Sequence, residues 1–170
     1  GLSYAKLSAE TYQVCEKDVL GNHSPLHFDM STFEFFSGPL KGARTILIPE
    51  EYTKLPASLS GLIATERLTI WYSVPLALIQ LLLRGAMETQ NLSTLRWILF
   101  GGEPFPTEYL RELMVQLPNA RFCNVYGPAE VNQCAFYHVA KLPDKNEASI
   151  PIGRVWANSE GLVIDPNDQP

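Results

Sequence analysis

Between Arg44 and Val125 the sequence alternates strand and helix patterns three times and closes on a fourth strand, over 44–48, 56–66, 69–74, 75–86, 96–100, 107–117 and 121–125. The strand segments are short and apolar, such as Arg44-Thr45-Ile46-Leu47-Ile48, which Pro49 stops. The helical segments carry apolar residues at i, i+3 and i+4, as in Leu59, Leu62 and Ile63, or Leu110, Leu113 and Met114. Pro75 opens one helix in the first turn, where proline is tolerated, and Thr107 is placed to cap the next. This rhythm predicts an α/β fold, a largely parallel sheet with helices on both faces. Such sheets bind ligands at the carboxyl ends of their strands. Four polar or glycine-rich clusters fall at such ends: Asp29, Tyr72-Ser73, Gly101-Gly102-Glu103, and Asn124 to Glu130. The architecture would bring them to one rim.

The flanks are read by the same rules. Ser3 to about Lys17 predicts a helix, and Asn22-His23-Ser24-Pro25 a turn. Leu26 to Asp29 reads as a short strand running into a buried, aromatic-rich helix over Met30 to Phe36. The helix from Pro75 carries Leu76, Leu78, Ile79, Leu81, Leu82 and Leu83 around nearly its whole circumference, which predicts deep burial. After Glu130, Cys134 to Val139 and Gly161 to Ile164 read as short strands, separated by an exposed polar loop, Lys141 to Ser149.

Bulk properties exclude several classes. With 170 residues, 46% of them hydrophobic, the chain forms one globular domain or a piece of a larger one. A net charge of −5 and no run of Lys or Arg argue against nucleic-acid and membrane-surface partners. An anionic ligand would need local groups or Mg²⁺. Cys15, Cys123 and Cys134 are odd in number and form no C-x-x-C, which suits a reduced, cytoplasmic chain without a zinc site or disulfide framework. Gly1-Leu2-Ser3-Tyr4 does not start a signal peptide, and Val74 to Leu83, interrupted by Gln80, is too short to span a bilayer. Both ends read as cuts through a longer protein.

Asn124-Val125-Tyr126-Gly127-Pro128-Ala129-Glu130 concentrates the chemistry. The Gly-Pro pair ends a strand and bends the chain at the surface. The bend presents Tyr126 as a face for a base and Glu130 as an oxygen ligand for a hard cation. Together with Phe28-Asp29-Met30-Ser31, Gly102-Glu103 and Pro151-Ile152-Gly153-Arg154, this stretch resembles, in order, the motifs of the AMP-forming adenylation domains of nonribosomal peptide synthetases and their stand-alone relatives. The resemblance covers essentially the whole chain. It implies a central part of the large N-terminal domain of an acyl-adenylate-forming enzyme, without the upstream glycine-rich phosphate loop and the C-terminal small domain with its catalytic lysine. Such a part is not expected to adenylate anything by itself.

The resemblance implies an ATP- and Mg²⁺-dependent ligase. A carboxylate attacks the α-phosphate of ATP, pyrophosphate leaves, and the aminoacyl group passes to a phosphopantetheine thiol on a peptidyl carrier protein. Asp29 would hold the substrate's amino group as a charge-assisted pair. Its alternative role is a helix N-cap. Gly102 and Glu103 match the turn along the adenine, Asn124 an adenine contact, and Tyr126 the stacking ring. Glu130 matches the Mg²⁺ ligand beside the phosphates, where it supports catalysis by neutralising charge. The amino-acid pocket matches Met30, Phe33, Tyr72, Leu99, Gly101, Val125, Gln133 and Cys134. All but Gln133 also read as plain core residues. As a set they imply a small or medium apolar amino acid. The text around Trp71 to Pro75 and Ala129 to Cys134 looks most like stand-alone prolyl-type ligases. Ala129 departs from the family's usual threonine, whose hydroxyl meets the phosphate. Two alternatives stand beside this reading: a fatty- or aryl-acid ligase of the same superfamily, which has no use for Asp29, and a degenerate, non-catalytic binding module.

Overall fold

A computed structural model describes residues 1–145, 147 and 149–169. Helix α1 (Leu2–Thr11) leads to strand β1 (Val19–Asn22). A π-helical turn, Phe33–Ser37, runs into the short helix α2 (Gly38–Leu40) and strand β2 (Arg44–Leu47). Then come α3 (Glu50–Thr53), α4 (Pro56–Thr65), β3 (Ile70–Ser73), α5 (Pro75–Arg84) and, after a 3₁₀ turn, β4 (Trp97–Gly101). Helix α6 (Thr107–Gln116) and strands β5 (Arg121–Tyr126), β6 (Ala135–Val139) and β7 (Arg154–Val155) complete the order. No helix among the described residues is long and apolar enough to cross a membrane.

The seven strands form one sheet in the order β2-β1-β3-β4-β5-β6-β7. The first five strands in this order pair parallel, and β6 and β7 add antiparallel. Helices cover both faces. Alternate side chains along each strand enter opposite cores, as the pleat requires. Trp71, Ile98, Phe100 and Phe122 pack under α4, α5 and α6 with Leu59, Ile63, Leu78, Leu81, Leu110 and Leu113. Ile70, Tyr72, Trp97, Leu99, Cys123 and Val125 pack on the other face with Ala9, Tyr12 and Phe33. The parallel sheet read from the strand–helix rhythm is what forms.

Five local expectations need correction. Helix α1 stops at Thr11, because Gln13 turns to a left-handed φ of 53° and the chain dives into the sheet. The strand there is Val19–Asn22, and Leu26 to Asp29 is a run of turns, with the Phe28 N–H donating to the Pro25 carbonyl at 2.9 Å. Strand β1 hides from pattern reading because it is short and contains Gly21. A Cβ at that position would stand 2.5 Å from Leu68 Cδ1 and 3.0 Å from the Trp71 ring, so a larger residue there would push those side chains aside. Helix α5 is buried on one side only: Leu78 is 1% exposed but Leu76 57% and Leu83 55%. Its inner face meets the sheet and its outer face is left open. Thr107 does not cap α6; Pro106 holds that position, and the Thr107 hydroxyl donates to the Glu147 carbonyl at 2.7 Å. Arg111 likewise donates to the Pro143 carbonyl, so the loop after Lys141 is fastened to α6, while its Asn146 and Ala148 lie outside the described residues. Gly161 to Ile164 forms no strand; the edge is closed by Arg154–Val155, opposite Ala135 and Phe136.

Candidate functional site

Parallel pairing points the carboxyl ends of β1, β3, β4 and β5 the same way, with Ser73 beside Phe100 and Gly101 beside Val125. A cavity of about 450 Å³ opens at that rim. Its walls include Asp29 and Met30 from the turn before the π-helix, Tyr72 from β3, Gly102 and Glu103 from the loop after β4, and Val125, Gly127 and Asn132 from β5 and the loop beyond. All four clusters singled out in the sequence therefore contribute to one wall system.

Asp29 is half-buried at this cavity. Its backbone carbonyl accepts from the Thr32 N–H at 2.9 Å, from the Thr32 hydroxyl at 2.6 Å and from Asn132 Nδ2 at 3.0 Å. Its carboxylate takes no hydrogen bond from the described residues, so the side chain is not spent on capping. Phe33 and Leu99 are fully buried behind the wall, and Gln133 is 4% exposed. Cys134 is half-buried, its N–H donating to the Tyr126 carbonyl at 2.9 Å. Phe33 meets Tyr72 edge-on at 6.1 Å. Burial pushes the Tyr72 phenol well above its usual range, against the tempering contact of the Gln133 amide.

The strand-end loop is held by several backbone constraints. A Cβ on Gly127 would fall inside the Asn132 carbonyl oxygen, which fixes glycine at the turn. Asn132 adopts a left-handed φ of 64° and ties the loop to Asp29 and to the Thr32 hydroxyl, a hundred residues earlier. The sequence reading missed Asn132; its only prior signal is asparagine's tolerance of that conformation. Asn124 donates through Nδ2 to the Pro151 carbonyl at 2.9 Å, anchoring the Pro151 to Arg154 segment. Glu103 accepts from the Leu76 N–H at 2.9 Å and so satisfies an open donor at the start of α5. Tyr126 is 50% exposed, its ring presented at the end of β5, and Glu130 is exposed in the following loop. His27 packs at a tilt against Phe28 with ring centroids 4.7 Å apart, whereas His23 lies under the rim, with Nδ1 3.0 Å from the Ser73 hydroxyl. Burial lowers the His23 pKa.

The model for the family described as AMP-binding enzyme matches residues 2–170. The chain belongs to this family. An L-proline--[L-prolyl-carrier protein] ligase of Pseudomonas fluorescens is 33% identical to it over 162 residues, which cover 92% of the chain and 32% of that protein. A ligase of the same name from Streptomyces coelicolor is 37% identical over 150 residues, 87% of the chain and 28% of that protein. The chain thus spans about a third of the length of these relatives. The crystal structure of IdnL1 superposes with a TM-score of 0.91 over 99% of the chain and 35% of that structure, at 24% identity, a likeness of fold.

In this chain of the AMP-binding family the rim carries a bare backbone turn and an exposed aromatic ring. Gly102, at φ +92°, forms a turn without a side chain over the cavity, and Tyr126 offers a flat exposed face. Among the described residues no group of three or more His, Cys, Asp and Glu side chains is arranged to hold a metal. Glu130 is a single exposed carboxylate in the loop after β5, and Mg²⁺ is commonly held by one or two carboxylates together with waters and substrate phosphates.

Proposed function

We propose that the protein carrying this chain activates an amino acid with ATP and loads it onto a carrier protein. The observation that carries the reading is the cavity at the strand ends, where the uncapped carboxylate of Asp29 shares a wall with Tyr72, Val125 and the Gly102 turn. A carboxylate held half out of water with no protein partner suits an ammonium or secondary ammonium, which makes a charge-assisted pair. The remaining walls are mostly apolar, which favours a small or medium apolar amino acid. Proline is the first candidate, supported by the likeness to the two prolyl-carrier ligases.

The reaction needs no protein nucleophile. A carboxylate oxygen of the amino acid bonds to the α-phosphorus of ATP, the bond to the bridging oxygen breaks, and pyrophosphate departs with the electron pair. A phosphopantetheine thiol on the carrier protein then attacks the carbonyl carbon, gives up its proton, and AMP leaves. In this scheme Asp29 orients the amino acid, Met30, Phe33, Tyr72, Leu99, Gly101, Val125, Gln133 and Cys134 shape its pocket, and Gly102, Glu103, Asn124 and Tyr126 surround the adenine. Orientation of this kind supplies much of the rate when two substrates react with each other. Mg²⁺ held beside the phosphates by Glu130 would neutralise charge as pyrophosphate departs. The phosphate loop, the small domain and its lysine are assigned to other parts of the protein, and the compartment to the cytoplasm.

Amino-acid-dependent ATP–pyrophosphate exchange on the full-length protein tests this reading. Exchange with proline or one small apolar amino acid is the expected result. Exchange only with fatty or aryl acids, or none at all, would overturn it.

A further inference from the structure

Tyr12 ends helix α1 on the face of the sheet opposite α4 and α5, and it is 0% exposed. Its hydroxyl donates to Gln133 Oε1 at 3.2 Å, across 121 residues of sequence. Its ring meets Trp97 edge-on at 5.6 Å and Phe33 edge-on at 5.7 Å, and Phe33 in turn meets Tyr72 edge-on at 6.1 Å. Tyr72 lines the cavity. Two routes therefore lead from Tyr12 to that wall, one through packed rings and one through a buried hydrogen bond. The tyrosine is itself anchored from behind, because Arg96 donates to its backbone carbonyl at 3.1 Å while gripping Asp18 with both Nε and Nη2. Beyond this bond the Gln133 amide contacts only the Tyr72 phenol, and its nitrogen is buried without a hydrogen-bond partner among the described residues. An amide buried in an apolar wall keeps one orientation only if something fixes it.

We propose that Tyr12 is a positioning residue for amino-acid selection, setting the amide of Gln133 and with it the Tyr72 wall of the substrate cavity. The inference rests on the function proposed above and concerns the same pocket. Tyr12 touches neither the cavity nor any reacting atom, so its effect travels through Gln133.

The test is ATP–pyrophosphate exchange on the full-length protein with proline and a panel of small amino acids, using Tyr12→Phe. This change keeps the ring and its edge contacts and removes only the hydroxyl. The KM for the preferred amino acid should rise about fivefold, as expected for one lost hydrogen bond, and the preference over the next-best amino acid should narrow. The KM for ATP should stay the same. Gln133→Met should shift the same parameters at least as far, and the double variant should be no worse than Gln133→Met alone, because that change already removes the Tyr12 contact. Unchanged amino-acid KM and ranking with a lowered melting temperature would reduce Tyr12 to a packing residue and overturn the proposal. If Tyr12→Phe fails to fold, Gln133→Met with unchanged ranking does the same. Loss of exchange with every amino acid in the unaltered protein would sink the function itself and this inference with it, whereas exchange with a ranking indifferent to both substitutions sinks the inference alone.

Discussion

Asp29 has its backbone carbonyl committed to three donors and its carboxylate to none among the described residues. The turn is thus fixed by main-chain bonds, and the charge is left for a ligand. Replacing it with asparagine keeps the shape and removes the charge. Hydrogen bonds to charged groups contribute about 1.5–3 kcal/mol, so Asp29→Asn should raise the KM for the amino acid by about 10- to 100-fold in pyrophosphate exchange. A ligase for simple acids would be indifferent to the change. Ala129 offers the opposite experiment. It lies exposed in the loop after β5, and Ala129→Thr supplies a hydroxyl near the proposed phosphate position. One added neutral hydrogen bond is worth about 1 kcal/mol, so the exchange rate should rise up to about fivefold.

At the scale of elements, the amino ends of the strands are clamped as firmly as the carboxyl ends are left open. Asp18, 3% exposed just before β1, accepts from Arg96 at 2.8 and 2.6 Å, from the Thr69 hydroxyl at 2.7 Å and from the Cys15 N–H at 2.8 Å. Three strand starts and the segment after α1 meet in this one network. Burial works against the Asp18 charge, but the Arg96, Thr69 and Cys15 bonds outweigh it and hold the carboxyl below its ordinary pKa. Its stabilisation is therefore complete above the unfolded-state pKa of about 3.9 and is lost as pH falls through the lower folded value. Asp18→Asn leaves Arg96 without its counter-charge. The cost should be about 3 kcal/mol, the lower end for breaking a buried pair, because the Arg96 side chain is still 32% exposed. Urea midpoints of the full-length protein between pH 3 and 7 check this: the variant should lose stability near neutrality and show a flatter decline below about pH 4.

For the whole molecule, two cores on opposite faces of one sheet divide the labour. The α4–α5–α6 side is a hydrophobic layer away from the chemistry, while the α1 side contains Tyr12, Phe33, Tyr72, Leu99 and Val125, the same residues that back or line the cavity. Ligands at the rim should therefore stabilise the fold as a unit. At about 100 times their dissociation constants, a ligand bound only to the folded state adds about 2.7 kcal/mol. ATP with Mg²⁺ should raise the melting temperature of the full-length protein, the cognate amino acid should raise it further, and EDTA should remove most of the nucleotide's share. A nucleotide shift indifferent to EDTA would contradict the role given to Glu130.

The sequence by itself determined the sheet and the rim. Short apolar runs alternating with a period of 3.6 leave few architectures open, and parallel strands must gather their carboxyl ends on one side. Asp29 and the Gly102 turn stand out by residue type at those ends, whereas Tyr72 and Val125 were marked as pocket positions by the resemblance to adenylation domains. Strand β1 was not legible, because four residues with a glycine carry no periodic signal, and the depth of α5 was misread because composition does not say which face has a neighbour. Tyr12 and Asn132 were decided by tertiary structure alone. Their partners, Gln133 for one and Asp29 with Thr32 for the other, lie 121 and about a hundred residues away. A hydrogen bond between side chains so far apart in sequence exists only once the sheet has brought them together, and no local pattern encodes it.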